Sequence, residues 1–177
     1  MRVITGSAKG RRLESPIGDN VRPTTDRVKE ALFSSIQFDI EGRKVLDLFA
    51  GSGQLGIEAL SRGAASAVFV DNNAESLTII NRNLSITGLL NKAKVIKSDS
   101  EVFLKTSAEK FDIIFLDPPY NKGLLATLLP GISAVASESA VIICEHPLDV
   151  ELPNGVGNFN LIKTAKYGKI CVSTYRK

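Results

Sequence analysis

Short apolar runs alternate with amphipathic stretches along most of this chain. The strands predicted from these apolar runs cover residues 44–49, 67–70, 94–97, 111–116 and 140–144. Strands that are buried on both faces of a parallel sheet have this composition. Between two of these runs, Leu77, Ile80 and Leu84 recur at helical spacing, and Gly88 provides a stop signal for that helix. The alternation predicts an α/β domain with a doubly wound sheet.

The two ends of the chain depart from this alternation. Residues 1–16 predict a β-hairpin, and a helix with Val28, Leu32 and Ile36 on one stripe follows it. Residues 161–167 and 169–175 predict a terminal hairpin, and we expect Pro130 to interrupt the helix at 124–135. We therefore predict one compact domain, with an extension at 1–40 and a core at 41–177.

Composition excludes several classes of protein. The chain has 177 residues, of which 44% are hydrophobic and 23% charged, as in soluble globular domains. The longest apolar stretch is too short to span a bilayer, and no apolar signal region begins the chain, so we expect a cytoplasmic protein. Cys144, Cys171 and the single histidine, His146, show no metal-ligand spacing and are expected in the core, so we predict no metal.

The net charge of +3 is unevenly distributed. Residues 1–30 carry seven Lys and Arg against four acids, and residues 161–177 carry five against none. Solvated basic ends are one explanation, and a phosphate-binding surface is the other. The candidate substrate-binding residues of this surface, in the first segment, are Lys9, Arg11, Arg12, Arg22, Thr24 and Arg27.

Glycines follow the first predicted strand at the spacing G-x-G-x-x-G. Gly51, Gly53 and Gly56 lie between a strand and a helix, where glycine lets a ligand approach the backbone. A nicotinamide cofactor would fit this spacing equally well. Asp47 favours a different ligand, because a carboxylate so close to the loop would repel a pyrophosphate and attract a cationic amino-acid end.

Acids also end the next two predicted strands. Asp71, about twenty residues beyond the glycines, is placed to accept hydrogen bonds from ribose hydroxyls, with Asn72 beside it. Asp99 and Ser100 follow the third strand. Capping the next helix is the simpler role for Asp99.

The fourth strand ends in an acid, two prolines and an aromatic ring. Residues 111–120 read FDIIFLDPPY. Because proline lacks an N–H and restricts the residue before it, this strand end is stiff. Asp117 could accept from an exocyclic amine, while Tyr120 could stack on its ring. A plain rigid turn is the alternative.

These segments resemble known methyltransferase motifs. LDLFAGSGQLG resembles the cofactor loop of S-adenosylmethionine-dependent methyltransferases, and DPPY resembles the catalytic motif of the amino methyltransferases. With MRVITGSAKGR and RPTTDRVKEALF, they resemble the bacterial 16S ribosomal RNA guanine-N2 methyltransferase family over nearly the whole chain.

The resemblance implies a seven-stranded Rossmann-like methyltransferase sheet, S-adenosylmethionine as cofactor, and ribosomal RNA or the assembled small ribosomal subunit as partner. It also implies that Asp99 meets the adenine amino group. The implied cofactor-binding residues are Asp47, Phe49, Gly51, Gly53, Asp71, Asn72, Asp99 and Ser100, and the implied catalytic residues are Asp117, Pro118, Pro119 and Tyr120.

Three alternatives stay open at this point. A DNA adenine-N6 methyltransferase would use the same strand end. A nicotinamide-dependent oxidoreductase would use the same glycines but would leave Asp47 and Asp117 without a role. A non-catalytic RNA-binding module would fit the charge distribution alone.

Overall fold

A computed structural model describes residues 1–16, 26–119 and 123–177 of the chain. The helices are α1 (Asp26–Ser35), α2 (Gln54–Ser61), α3 (Ala74–Thr87), α4 (Ser100–Thr106) and α5 (Leu124–Val135). The strands are β1 (Lys44–Asp47), β2 (Ser66–Asp71), β3 (Ala93–Lys97), β4 (Phe111–Leu116), β5 (Ala136–Pro147), β6 (Gly155–Val156), β7 (Phe159–Tyr167) and β8 (Ile170–Arg176).

The strands form one mixed sheet in the order β3-β2-β1-β4-β5-β8-β7-β6. The first five pair in parallel, and β8, β7 and β6 pair in antiparallel fashion. The chain order reverses between β1 and β4, which is the position where open α/β sheets bind ligands. The predicted doubly wound α/β fold is confirmed, with eight strands in place of seven. The additional strand, β6, has only two residues and therefore shows no sequence pattern.

Helices cover both faces of the sheet. On one face, α1, α2 and α3 share a core with Val3, Ala8 and Leu13 of the amino-terminal segment. On the other face, α4 and α5 pack against the sheet through residues such as Phe103 and Ile132. The amino-terminal segment is closed by a single antiparallel bridge between Arg2 and Arg12, so it lies outside the main sheet.

The helix α5 continues through Pro130, so the predicted interruption is wrong. An internal proline costs about 3 kcal/mol because it removes one helical hydrogen bond. The same helix buries Leu128, Leu129 and Ile132, and each such side chain contributes about 1.5–3 kcal/mol. Packing therefore outweighs the local cost.

Other predicted features also have clear outcomes. The strand predicted at 140–144 is longer in the structure, because β5 begins at Ala136 and ends at Pro147. Cys144, Cys171 and His146 are buried, as expected. His146 Nε2 lies 2.8 Å from the Ser173 hydroxyl. Within the described part of the chain, no helix has the length and apolar character needed to cross a membrane.

The two edges of the sheet are short or charged. β3 forms one edge and carries the exposed Lys94 and Lys97, while the two-residue β6 forms the other. No residue of β3 is fully buried, and its two exposed residues are the lysines.

Candidate active site

A cavity of about 770 Å³ opens at the carboxyl ends of the parallel strands. It collects residues from four strand ends, which confirms that these ends meet at one edge of the sheet. The predicted site residues that line it are Asp47, Phe49, Gly51, Asp71, Asn72, Asp99, Ser100, Asp117, Pro118 and Pro119. Tyr120, the last residue of the predicted catalytic set, lies outside the described residues.

Asp47 lies at the end of β1 and is only 2% exposed. One of its carboxylate oxygens accepts a hydrogen bond of 2.9 Å from the Gly56 N–H. Loss of water raises the pKa of Asp47 to about 7, because the single backbone hydrogen bond does not compensate for burial. A positively charged ligand group in this cavity would restore the charged form.

The glycines of the loop have three different roles. Gly51 lines the cavity, with a positive φ of 53°. Gly53 does not line it, although it was expected to bind cofactor; it starts α2 in the left-handed conformation, at φ 78°. A Cβ on Gly56 would lie 2.3 Å from the ring of Phe69, so glycine is required for α2 to approach β2 this closely.

Gln54, the first residue of α2, contributes an unpartnered acceptor. Its side chain lines the cavity and is 7% exposed. Its Oε1 atom is buried without a hydrogen-bond partner among the residues that the structure describes. An unmet buried acceptor costs about 1–3 kcal/mol, so this site favours a ligand that donates a hydrogen bond.

Asp71 joins the ends of β2 and the glycine loop. Its Oδ2 accepts from the Gly51 N–H at 2.8 Å, and its Oδ1 accepts from the Asn73 N–H at 2.9 Å. These two bonds fix the carboxylate at the cavity wall. Each carboxylate oxygen has a second lone pair, which leaves acceptor capacity for ligand hydroxyls.

Asp99 caps α4, as its simpler interpretation predicts. Its Oδ1 accepts from the N–H groups of Glu101 and Val102, at 2.8 and 3.3 Å. The carboxylate also lines the cavity, together with Ser98 and Ser100. Capping and ligand contact are compatible, because both cap bonds use the same oxygen.

The rim formed by Asp117, Pro118 and Pro119 closes the cavity beyond β4. Asp117 is half-buried and Pro118 is buried, whereas Pro119 is exposed. The acid therefore faces the space next to the cofactor loop from a stiff backbone.

The structure describes four of the six predicted RNA-contacting residues. Lys9, Arg11, Arg12 and Arg27 are exposed, while Arg22 and Thr24 lie outside the described residues. The turn before Lys9 packs on the last residue of α2, with Ser7 N–H donating to the Ser61 carbonyl at 2.8 Å. That end of α2 is opposite the glycine loop, so Lys9 is placed away from the cavity.

Arg12 lies nearer the cavity than Lys9. Leu13, the next residue, donates its N–H to the Met1 carbonyl at 3.1 Å. Met1 itself lines the cavity, and the Ser52 hydroxyl donates to its sulfur at 3.6 Å. The amino-terminal segment thus starts at the cavity, reaches the far end of α2 and returns.

A buried charged network holds this segment on α2. Glu58 accepts from the Ile4 and Thr5 N–H groups at 2.8 and 3.0 Å and from Arg62 Nε at 2.8 Å. Lys29 Nζ lies 3.7 Å from the same carboxylate, and neither side chain of this pair is exposed. Burial lowers the pKa of Lys29, and Glu58 opposes that shift.

Sequence reasoning missed Met1, Gln54 and the Lys29–Glu58 pair. The two charged residues lie in different helices, 29 positions apart, so no local spacing in the sequence pairs them. The only available signal for Gln54 was the size of its side chain between Gly53 and Gly56.

Comparisons with known proteins agree with this geometry. Residues 1–176 match the model of a family described as conserved hypothetical protein 95. The putative rRNA methyltransferase YlbH of Bacillus subtilis is 43% identical, over 100% of this chain and 99% of its own length.

Two proteins of Escherichia coli extend the comparison. Ribosomal RNA small subunit methyltransferase D is 36% identical, over 100% of this chain and 90% of its own. The solved structure of the putative methyltransferase yhhF has a TM-score of 0.89 at 34% identity, covering 100% of this chain and 97% of that one. The chain therefore belongs to the conserved hypothetical protein 95 family, together with relatives named as ribosomal RNA methyltransferases.

Proposed function

We propose that this protein transfers a methyl group from S-adenosylmethionine to ribosomal RNA of the small subunit. The observation that carries the proposal is the meeting of the glycine loop, Asp71, Asp99 and the Asp117 rim in one cavity. The names of full-length relatives support ribosomal RNA as the substrate. These names give no support to the oxidoreductase alternative or to the DNA methyltransferase alternative.

The cavity offers acceptors for each polar part of the cofactor. Asp47 and the Gln54 carbonyl would receive the ammonium group of the methionine end, because both are buried acceptors beside the loop. Asp71 would accept from the ribose hydroxyls, and Asp99 from the adenine amino group. Phe49, Asn72 and Ser100 complete the walls.

Asp117 and the two prolines are the proposed catalytic rim, together with Tyr120. The Asp117 carboxylate and the Pro118 carbonyl would accept hydrogen bonds from an exocyclic amine, which directs the nitrogen lone pair at the sulfonium methyl group. Bound S-adenosylmethionine would supply the methyl group and leave as S-adenosylhomocysteine, and the methylated amine would lose its extra proton to water. Alignment supplies most of the acceleration, because the methyl donor is already activated.

At finer detail, we propose guanine N2 in 16S ribosomal RNA as the target atom, as the family resemblance implies. The base must be unpaired or flipped out, because a paired guanine hides its amine inside the helix. We also propose that residues 1–40 form an RNA-contacting extension of a methyltransferase core at 41–177. Arg12 is exposed and precedes Leu13, which bonds Met1 at the cavity, so it is the best-placed of the described cations in this extension.

Nucleoside analysis tests both levels of the proposal. Purified small subunits, free 16S ribosomal RNA and duplex DNA would be incubated separately with methyl-labelled S-adenosylmethionine, and each nucleic acid would be digested to nucleosides and separated. N2-methylguanine is the expected product. N6-methyladenine in DNA as the main product would reject the proposal, whereas another methylated base in ribosomal RNA would reject only the guanine assignment.

Replacing Asp117 by alanine tests the catalytic rim. We expect methyl transfer to fall by about two to four orders of magnitude, as for loss of other well-placed polar groups, with cofactor affinity nearly unchanged. Asp112→Asn is a matched control, since this acid belongs to the same strand at its opposite end and bonds the Lys44 N–H at 3.0 Å. Equal activity in the two variants would contradict the assignment.

A further inference from the structure

The tip of the β7–β8 hairpin lies at the same edge of the sheet as the cavity. Leu116, the last residue of β4, is level with Cys144 of β5. Further along β5, His146 pairs with Cys171 of β8, and Cys171 pairs with Lys166 of β7. Lys166 is therefore level with Pro118 of the catalytic rim, and the turn at 168–169 extends beyond it.

The basic carboxyl-terminal segment is divided by its pairing. At the opposite edge, Arg176 forms an ion pair of 2.6 Å with Asp39, and Lys177 lies 3.5 Å from Glu138. Lys163, Lys166 and Lys169 are exposed, and within residues 1–16, 26–119 and 123–177 no acid pairs with them. The unneutralised charge of this segment is therefore concentrated towards the catalytic edge.

The tip is also well anchored. Tyr167 and Ile170 flank the turn and pack against the core cluster beneath α1 and α2. Between them, Gly168 has a φ of 61°, which suits the first central position of a tight two-residue hairpin turn. The ammonium groups of Lys166 and Lys169 are therefore carried by a rigid backbone, so little backbone order is lost when they bind an anion.

The hairpin tip lies a short distance from the rim that follows β4. β4 and β7 are three strands apart in the sheet, and strand spacings of about 4.8 Å place them about 14 Å from each other. A nucleic acid whose target base enters the cavity would pass its flanking phosphates over this part of the edge.

We propose that Lys166 and Lys169 at the hairpin tip bind the phosphate backbone of the substrate RNA beside the target nucleotide. This inference rests on the proposed function. Exposed lysines that have no ion-pair partner suit phosphates, because phosphate contacts depend on charge and position more than on side-chain shape. An acidic protein surface is the other class of partner that such lysines could attract.

A pair of double variants tests the proposal. Lys166→Gln with Lys169→Gln removes two charges at the tip, and Lys94→Gln with Lys177→Gln removes two charges from lysines that lie elsewhere and are already paired. Binding to a 16S ribosomal RNA fragment would be measured at several salt concentrations, together with KM, kcat and affinity for S-adenosylhomocysteine.

We expect the tip variant to raise KM and to flatten the dependence of log affinity on log salt by about 1.4, since each single-strand phosphate contact contributes about 0.7. Its kcat and cofactor affinity should match those of wild type. A salt slope equal to that of the control variant would overturn the proposal, and loss of polyglutamate binding in the same variant would indicate an acidic protein partner. Absence of RNA methylation in wild type would instead reject the proposed function.

Discussion

The first turn of α2 faces the cofactor cavity, whereas its last turns hold the amino-terminal segment. At the first end, Gln54 presents an unpartnered acceptor and Gly56 binds Asp47. At the other end, Glu58 accepts from the Ile4 and Thr5 N–H groups, and the Ser61 hydroxyl bonds the Ala8 N–H and the Thr5 carbonyl. The helix has eight residues and is about 12 Å long, so a site built for a ligand and one completed by the chain itself lie along the same short helix.

The two ends of α2 differ in whether their buried polar groups have hydrogen-bond partners within the protein. Where the protein supplies every partner, the charged network stabilises the fold. Where the protein leaves a buried acceptor without a partner and a carboxylate without water, the free energy lost on burial is recovered only when a ligand binds. Variants at the two ends should therefore separate stability from cofactor affinity.

The largest effect should come from Glu58→Gln. This change leaves the Lys29 ammonium buried without its ion pair, and breaking such a pair costs about 3–5 kcal/mol. Urea unfolding would measure it. Glu14→Gln is the matched control, because the Glu14–Arg82 pair is exposed and is worth about 1 kcal/mol or less.

A second variant makes this test more specific. Adding Lys29→Met to Glu58→Gln removes the uncompensated charge, so the double variant should be more stable than Glu58→Gln alone. If Glu58→Gln and Glu14→Gln lowered the free energy of unfolding equally, the buried network would not be what anchors the amino-terminal segment.

The next effect concerns pH and Asp47. The folded pKa is about 7, against about 3.9 in the unfolded chain, so the folded protein holds an extra proton between these values. Stability of the ligand-free protein should therefore fall as pH rises through this window, by up to about 1.4 kcal/mol per unit. Asp47→Asn should lack this decline, which denaturation at pH 5 and 8 would show.

Cofactor binding provides the counterpart to that experiment. An ammonium group beside Asp47 favours the carboxylate, so affinity for S-adenosylhomocysteine should increase with pH up to about 7. A flat pH profile for stability in wild type would show that Asp47 titrates at its ordinary value.

The smallest effect should come from Gln54→Met, which keeps the side-chain length but removes the acceptor. We expect an affinity loss of about 1.5–3 kcal/mol for S-adenosylhomocysteine, as for a hydrogen bond to a charged group. Methylthioadenosine, which lacks the amino-acid end, should bind the variant as it binds wild type. Calorimetry with both ligands makes the distinction.

Ser61→Ala is the control at the other end of α2. It removes the hydroxyl that bonds the Ala8 N–H at 3.0 Å and the Thr5 carbonyl at 2.6 Å, so it should lower stability without changing cofactor affinity. Equal losses for both ligands in Gln54→Met would mean that Gln54 only packs the loop.

Much of this arrangement could be predicted because its signals are local. Acids at the ends of β1, β2 and β4 and the glycines after β1 lie within short segments whose spacing fixes where they meet. The family resemblance and the use of S-adenosylmethionine are supported in the same way by continuous motifs, and the family assignment is confirmed.

The unpredicted parts depend on distant pairing. Glu58 binds Ile4 and Thr5 across more than fifty residues, and nothing in the helix composition distinguishes it from an exposed acid. The position of Lys166 at the cavity edge of the sheet follows from strand register, which the sequence of β7 alone does not specify. The same limit applies to Lys9, whose placement away from the cavity depends on Ser61.

The edges of the sheet have a consequence for how the molecules behave at high concentration. An exposed edge strand is a template on which another chain can add, and natural proteins block it with charge or shortness. Lys94 and Lys97 place two cations on β3, and at the other side β6 covers only Phe159 and Asn160 of β7, whose remaining length carries the exposed Lys163 and Lys166. Polymerisation through the sheet is therefore disfavoured at both sides, which keeps the fold compatible with crowding around abundant RNA substrates.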